Sequence, residues 1–204
     1  MTEQQSSKPP LKLAAAAALL KKGERLFVAN KFDEALGIFD EIVHRLGDSQ
    51  SLPVLETIAH AMQWRGLVFQ TEDRDAEAID AFGEIDRRFG NRPETSLAAI
   101  VAEDLLLKSF LLDPQQEMST LDEIILRYSY RKEANIASSV AWALWSKGGC
   151  LEKRGQKDEA LTIYHEVICR FGHRYEPSFP ELLELAERDI QRMTGSHGDE
   201  ISAS

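Results

Sequence analysis

The chain has 204 residues and carries 24 Lys+Arg against 34 Asp+Glu, a formal charge of −10. Its 43 % apolar and 28 % charged residues exclude a wholly disordered polymer. The acidic balance argues against nucleic acid as a partner, and no apolar run approaches the roughly 18 residues needed to span a bilayer. Only 12 Gly and 7 Pro is sparse for a turn-rich β protein and favours helix.

Residues 1–10 read as a polar, disordered tail. Leu11 to Leu20 has the length of a secretory apolar segment, but Glu3, the interrupting Lys12 and the following Lys21-Lys22 oppose that reading. The stretch instead opens the first of four helix pairs, over residues 11–51. Its first helix carries Ala16-Leu19-Gly23-Leu26 and its second Ala35-Phe39-Ile42-Leu46. Steps of three and four place each set on one helical face. The pattern returns over 52–94 as Ala59-Met62-Gly66-Phe69 and Ala78-Phe82-Ile85-Phe89. Over 95–133 it is Ala102-Leu105-Ser109-Leu112 and Leu121-Ile124-Tyr128, and over 134–174 Ala141-Leu144-Gly148-Leu151 and Ala160-Tyr164-Val167-Phe171. Each second helix is expected to end at Gly47, Gly90, Ser129 or Gly172, which is C-cap chemistry. Ser178-Phe179-Pro180-Glu181 then reads as a capping box that starts a final helix over 178–193. That helix would cover the open end of the array, and 194–204 would be a second disordered tail.

The register is strict. Ile42, Ile85, Ile124 and Val167 are spaced 43, 39 and 43; Gly23, Gly66, Ser109 and Gly148 are spaced 43, 43 and 39. One four-residue deletion between Ser109 and Ile124 explains both series. Charges repeat too: Glu41-Arg45, Glu84-Arg88, Glu123-Arg127 and Glu166-Arg170 are i,i+4 pairs in the favourable order. Lys22, Arg65, Lys108 and Lys147 precede the small residue and are expected on a solvated helix edge.

These residues resemble the tetratricopeptide repeat (TPR) superfamily. A small residue in helix A is followed at offsets 12 and 16 by Ala and an aromatic residue in helix B: Gly23 by Ala35 and Phe39, Gly66 by Ala78 and Phe82, Gly148 by Ala160 and Tyr164. The third unit departs, with Ser109 and Glu117 at the Gly and Ala places, and the units near 43 residues exceed the family's 34. A lengthened helix A is the expected cause. The resemblance implies an all-α, right-handed α-solenoid of four TPR-like helix-turn-helix repeats with a C-terminal capping helix, one domain over 11–193.

No phosphate loop, nucleophile elbow or H-E-x-x-H stretch is present, and the five histidines lack metal-ligand spacing. The chain is therefore read as non-enzymatic, with no cofactor and no metal. Cys150 and Cys169, expected as two buried reduced thiols, suit a cytoplasmic protein.

The resemblance implies a groove lined by helix A. Its lining residues would be Glu24 and Phe27 in the first unit, His60, Gln63 and Leu67 in the second, Leu106 and Phe110 in the third, and Trp142 and Trp145 in the fourth. The two tryptophans either stand open as binding anchors or pack against a neighbouring helix. The expected function is a protein- or peptide-binding adaptor, without nucleic acid or membrane. A chaperone or secretion-accessory module masking an apolar client segment, and a self-assembling structural dimer, are the alternatives.

Overall fold

The apolar columns become helices where their spacing places them. The structure is a computed structural model that describes residues 13–47, 49–177 and 179–195. Among the described residues it has nine helices and no strand, and helices adjacent in sequence pack in order, so the chain is an all-α helical-repeat solenoid. The helices are α1 (Leu13–Val28), α2 (Phe32–Leu46), α3 (Leu52–Thr71), α4 (Asp75–Phe89), α5 (Thr95–Ser109), α6 (Pro114–Tyr128), α7 (Ala134–Lys153), α8 (Lys157–Phe171) and α9 (Phe179–Gly195). None is long and apolar enough to cross a membrane. The chain divides into two compact units, Met1–Asp104 and Leu105–Ser204, so the division falls within α5.

In the first unit α1, α2, α3 and α4 pack in succession, and α3 also touches α1. The second-helix faces bury Ala35, Phe39, Ile42 and Leu46 on α2, and Ala78, Phe82, Ile85 and Phe89 on α4. Each fully buried large side chain is worth about 1.5–3 kcal/mol. The small residue of helix A is dictated by this packing. A Cβ on Gly23 would lie 2.4 Å from Cε1 of Phe39, and one on Gly66 would lie 2.4 Å from Cε1 of Phe82.

The second unit repeats the device, with Gly148 under Tyr164 at the same 2.4 Å. Helices α6, α7, α8 and α9 pack in succession, and α9 reaches back to α7. The capping helix buries Phe179, Leu182, Ala186 and Met193, with Phe179 stacked on Phe171 at 5.4 Å. It runs to Gly195, two residues past the expected end. The proposed capping-box residue 178 lies outside the described residues, as do 1–12 and 196–204.

Helices α3 and α7 have 20 residues, whereas α2, α4, α6 and α8 have 15, so the long period comes from helix A. The deletion in the third unit removes the last turn of helix A. α5 stops at its small residue Ser109, while α1, α3 and α7 run five residues further. Those three end on one positive-φ residue seven places after the glycine: Asn30 (57°), Asp73 (57°) and Gly155 (78°). In each, the following amide closes back over the last turn, Lys31 N–H to Leu26 O, Arg74 N–H to Phe69 O, and Gln156 N–H to Leu151 O. α6 starts differently, with Asp113 accepting from the Gln115 and Gln116 amides and Pro114 first in the helix.

Gly47, Gly90, Ser129 and Gly172 cap the second helices where expected, but in right-handed helical conformation (φ −50° to −62°), so positive φ is not why glycine stands there. The column instead supplies carbonyls: Arg88 Nη2 donates to Gly47 O at 2.7 Å, and Arg170 Nη2 donates to Ser129 O. The Glu-Arg column is thus more than an in-helix pair. Arg45, Arg127 and Arg170 do meet Glu41, Glu123 and Glu166 at 2.7, 3.4 and 3.7 Å. Glu84, by contrast, faces Arg65 at 3.9 Å, which leaves Arg88 to bridge to the preceding repeat. The column before the small residue is not merely solvated either. Arg65 pairs with Asp40 at 2.9 Å and Lys147 with Asp122 at 2.6 Å, each linking helix A to the preceding helix B.

Candidate interaction face

Positions six and three residues before the small residue, and one and four after it, fall along one line of helix A. On α7 that line holds Trp142, Trp145, Gly149 and Glu152. Trp142 and Trp145 meet edge to face, with centroids 5.6 Å apart and planes at 88°. Trp145 is also fastened to the capping helix: its Nε1 donates to Asp189 Oδ2 at 3.1 Å. Arg192 holds the other Asp189 oxygen at 3.2 Å and grips both oxygens of Glu152 at 2.5 and 2.8 Å. Arg192 holds the Glu152 carboxyl below its usual range, while burial, with Asp189 and Glu152 adding to it, pushes the Tyr164 hydroxyl up to about 12. Trp145 is therefore a strut between α7 and α9. Trp142 has no such tie to α9 and stays half-buried on the face.

Elsewhere in the second unit Phe110 is 49 % exposed and Leu106 is half-buried. In the first unit His60 is exposed and Glu24, Phe27 and Leu67 are half-buried. Phe27 lies edge-on to Trp64 at 5.1 Å and near Phe32 at 5.6 Å, and Trp64 stacks on Phe39. It belongs to an aromatic cluster tying the first two repeats together. Gln63 is only 9 % exposed, so it lies beneath the face instead of lining it.

Sequence reasoning missed three features. The first is Trp64. The second is Asp104 on α5, 1 % exposed, with no hydrogen-bond partner for either carboxylate oxygen. Its signal was available: the column five residues before the small residue reads Ala18, Ala61, Asp104, Ala143. The third is a seven-residue signature after each later second helix: Arg88-Phe-Gly-Asn-Arg-Pro-Glu94, Arg127-Tyr-Ser-Tyr-Arg-Lys-Glu133 and Arg170-Phe-Gly-His-Arg-Tyr-Glu176. Its first arginine lies over the next aromatic ring at 5.2–5.4 Å, and its second pairs with the glutamate. In the first and third copies the first arginine also donates to a carbonyl of the preceding repeat.

Cys150 is buried, and its thiol is pushed up to about 11 mainly by that burial; Cys169 is exposed, against expectation, and both are free. Among the described residues no group of three His, Cys, Asp or Glu could hold a metal ion.

Residues 142–171, from Trp142 on α7 to the end of α8, match the family described as tetratricopeptide repeat. No curated protein matches the chain.

Proposed function

We propose that the chain, whose described helices and tetratricopeptide-repeat match over residues 142–171 fit a TPR-like repeat superfamily, acts without catalysis, as an adaptor binding a protein or peptide on its helix-A face. The observation that carries this is an apolar and aromatic set left open on the helix-A positions of the second unit: Phe110 at 49 % exposure, with Leu106 and Trp142 half-buried. Aromatic residues that keep one side in water are effective anchors, because they bury large area at little entropic cost. Repeat families of this kind generally mediate such binding. The proposal includes a cytoplasmic setting, which suits an exposed free thiol at Cys169.

The test separates the open aromatic residues from the strut. Phe110→Ala with Trp142→Ala removes two face residues without touching the Asp189 contact. In affinity capture from source cells followed by mass spectrometry, the double variant is expected to lose the specific partner while unfolding at nearly the wild-type temperature. Equal capture by both proteins would exclude this face. Trp145→Ala is unsuitable as the probe, since it leaves buried Asp189 without its indole donor.

A further inference from the structure

Asp104 occupies a column that elsewhere holds alanine, and Ala61 and Ala143 there are wholly buried. A small apolar side chain is what packing asks of that place. A carboxylate adds nothing to the core and suffers desolvation without a counter-charge. Burial, and after it the neighbouring Glu103 on the same helix, raise its pKa well above the usual carboxylate range. Gln63 approaches from α3 and opposes that shift, but its contact falls short of hydrogen-bond geometry. A buried polar group kept without a partner is a candidate for a ligand's use.

The surroundings indicate which ligand. Gln63 lies just beneath the helix-A face, and His60, one turn earlier on α3, is exposed. Glu103, beside Asp104 on α5, is exposed and negative. We propose that Asp104, with Gln63 and Glu103, receives one cationic side chain, a lysine or arginine, of the peptide bound on the helix-A face; this rests on the peptide-binding reading above. The cation would pair with the carboxylate where water screens little, and the Gln63 carbonyl would accept a remaining donor hydrogen. An uncharged side chain would meet the same desolvation without the Coulomb gain, so the site selects for charge.

A proton is coupled to the event. The empty site favours the protonated acid, so the arriving cation releases that proton to solvent. Affinity for a cationic peptide then rises with pH and levels off above the raised pKa.

The experiment uses the full chain, with Asp104→Ala and Asp104→Asn as variants. Random dodecapeptides displayed on phage are selected against each, and enriched peptides are made with lysine replaced by norleucine or arginine by citrulline. Wild type is expected to enrich peptides sharing one basic residue at a fixed spacing from apolar residues. Neutralising that residue should weaken binding to wild type by about tenfold or more and leave binding to Asp104→Ala unchanged. Affinity for the cationic peptide should rise with pH from the ordinary carboxyl range through the raised pKa of Asp104, for wild type alone. Enriched peptides without a shared basic residue, or ones that bind Asp104→Ala equally well, would overturn the cation site and leave peptide binding standing. Failure of every protein to enrich any peptide would remove both readings.

Discussion

Replacing Gly66 by alanine lowers stability by about 1–3 kcal/mol, and adding Phe82→Leu restores most of that loss. The sign is diagnostic. Alanine is favoured over glycine in a helix interior by about 0.8–1.0 kcal/mol, so an unobstructed site would gain from the change. Here the new Cβ would stand 2.4 Å from Phe82 Cε1 and 2.8 Å from Cζ. Phe82 is wholly buried and has nowhere to retreat. Phe82→Leu alone leaves a gap and costs about 1–3 kcal/mol, but it clears the space a Cβ needs. The third repeat already carries this combination, with Ser109 at the small place and Leu121 opposite in register, both wholly buried. A double-mutant cycle by denaturant unfolding should show strong favourable coupling. Simple addition of the two single costs would refute the Gly–aromatic contact.

Replacing Asp104 by alanine raises stability at neutral pH by about 1–3 kcal/mol, because an unsatisfied buried polar group is removed. The pH dependence follows from the raised pKa. The folded state holds the Asp104 proton more tightly than the unfolded chain does. As pH climbs from the ordinary carboxyl range near about 4 through the raised pKa, the unfolded state ionises first and wild type loses stability. Below that range both states are protonated and the part of the penalty due to ionisation vanishes. The variant's advantage should therefore be small in acid and largest at neutral and alkaline pH. Melting temperatures of both proteins across this range would show it. A variant less stable than wild type at every pH, or an advantage that grows toward acid, would contradict the buried, unpaired carboxylate.

How much was legible can be judged residue by residue. The stripes that form α2, α4 and α8 were plain, because one face of a helix repeats every three to four residues and glycine must sit where an aromatic ring arrives. Gly47, Gly90 and Gly172 do end their helices as the sequence suggests, but without the positive φ that glycine after a helix commonly signals. Here the left-handed position closes helix A and is filled by Asn30, Asp73 and Gly155. Asn and Asp tolerate that conformation better than other side chains do, which makes them weaker markers than glycine. The contact of Trp145 with Asp189 spans 44 residues and involves a helix outside the repeat register, so periodicity alone could not reveal it. Asp104 was visible as a carboxylate in an alanine column. Its lack of a partner required the packed structure.

Whether the partner occupies the helix-A face is tested most directly by site-specific photo-crosslinking in source cells. A benzophenone amino acid is placed at Phe110 on that face, 49 % exposed, and in a separate protein at Leu126 on α6, which is 83 % exposed. The adaptor reading predicts one discrete crosslinked protein from position 110 and none from position 126, although the latter is the more accessible. Crosslinking from position 126 with none from position 110 would contradict it.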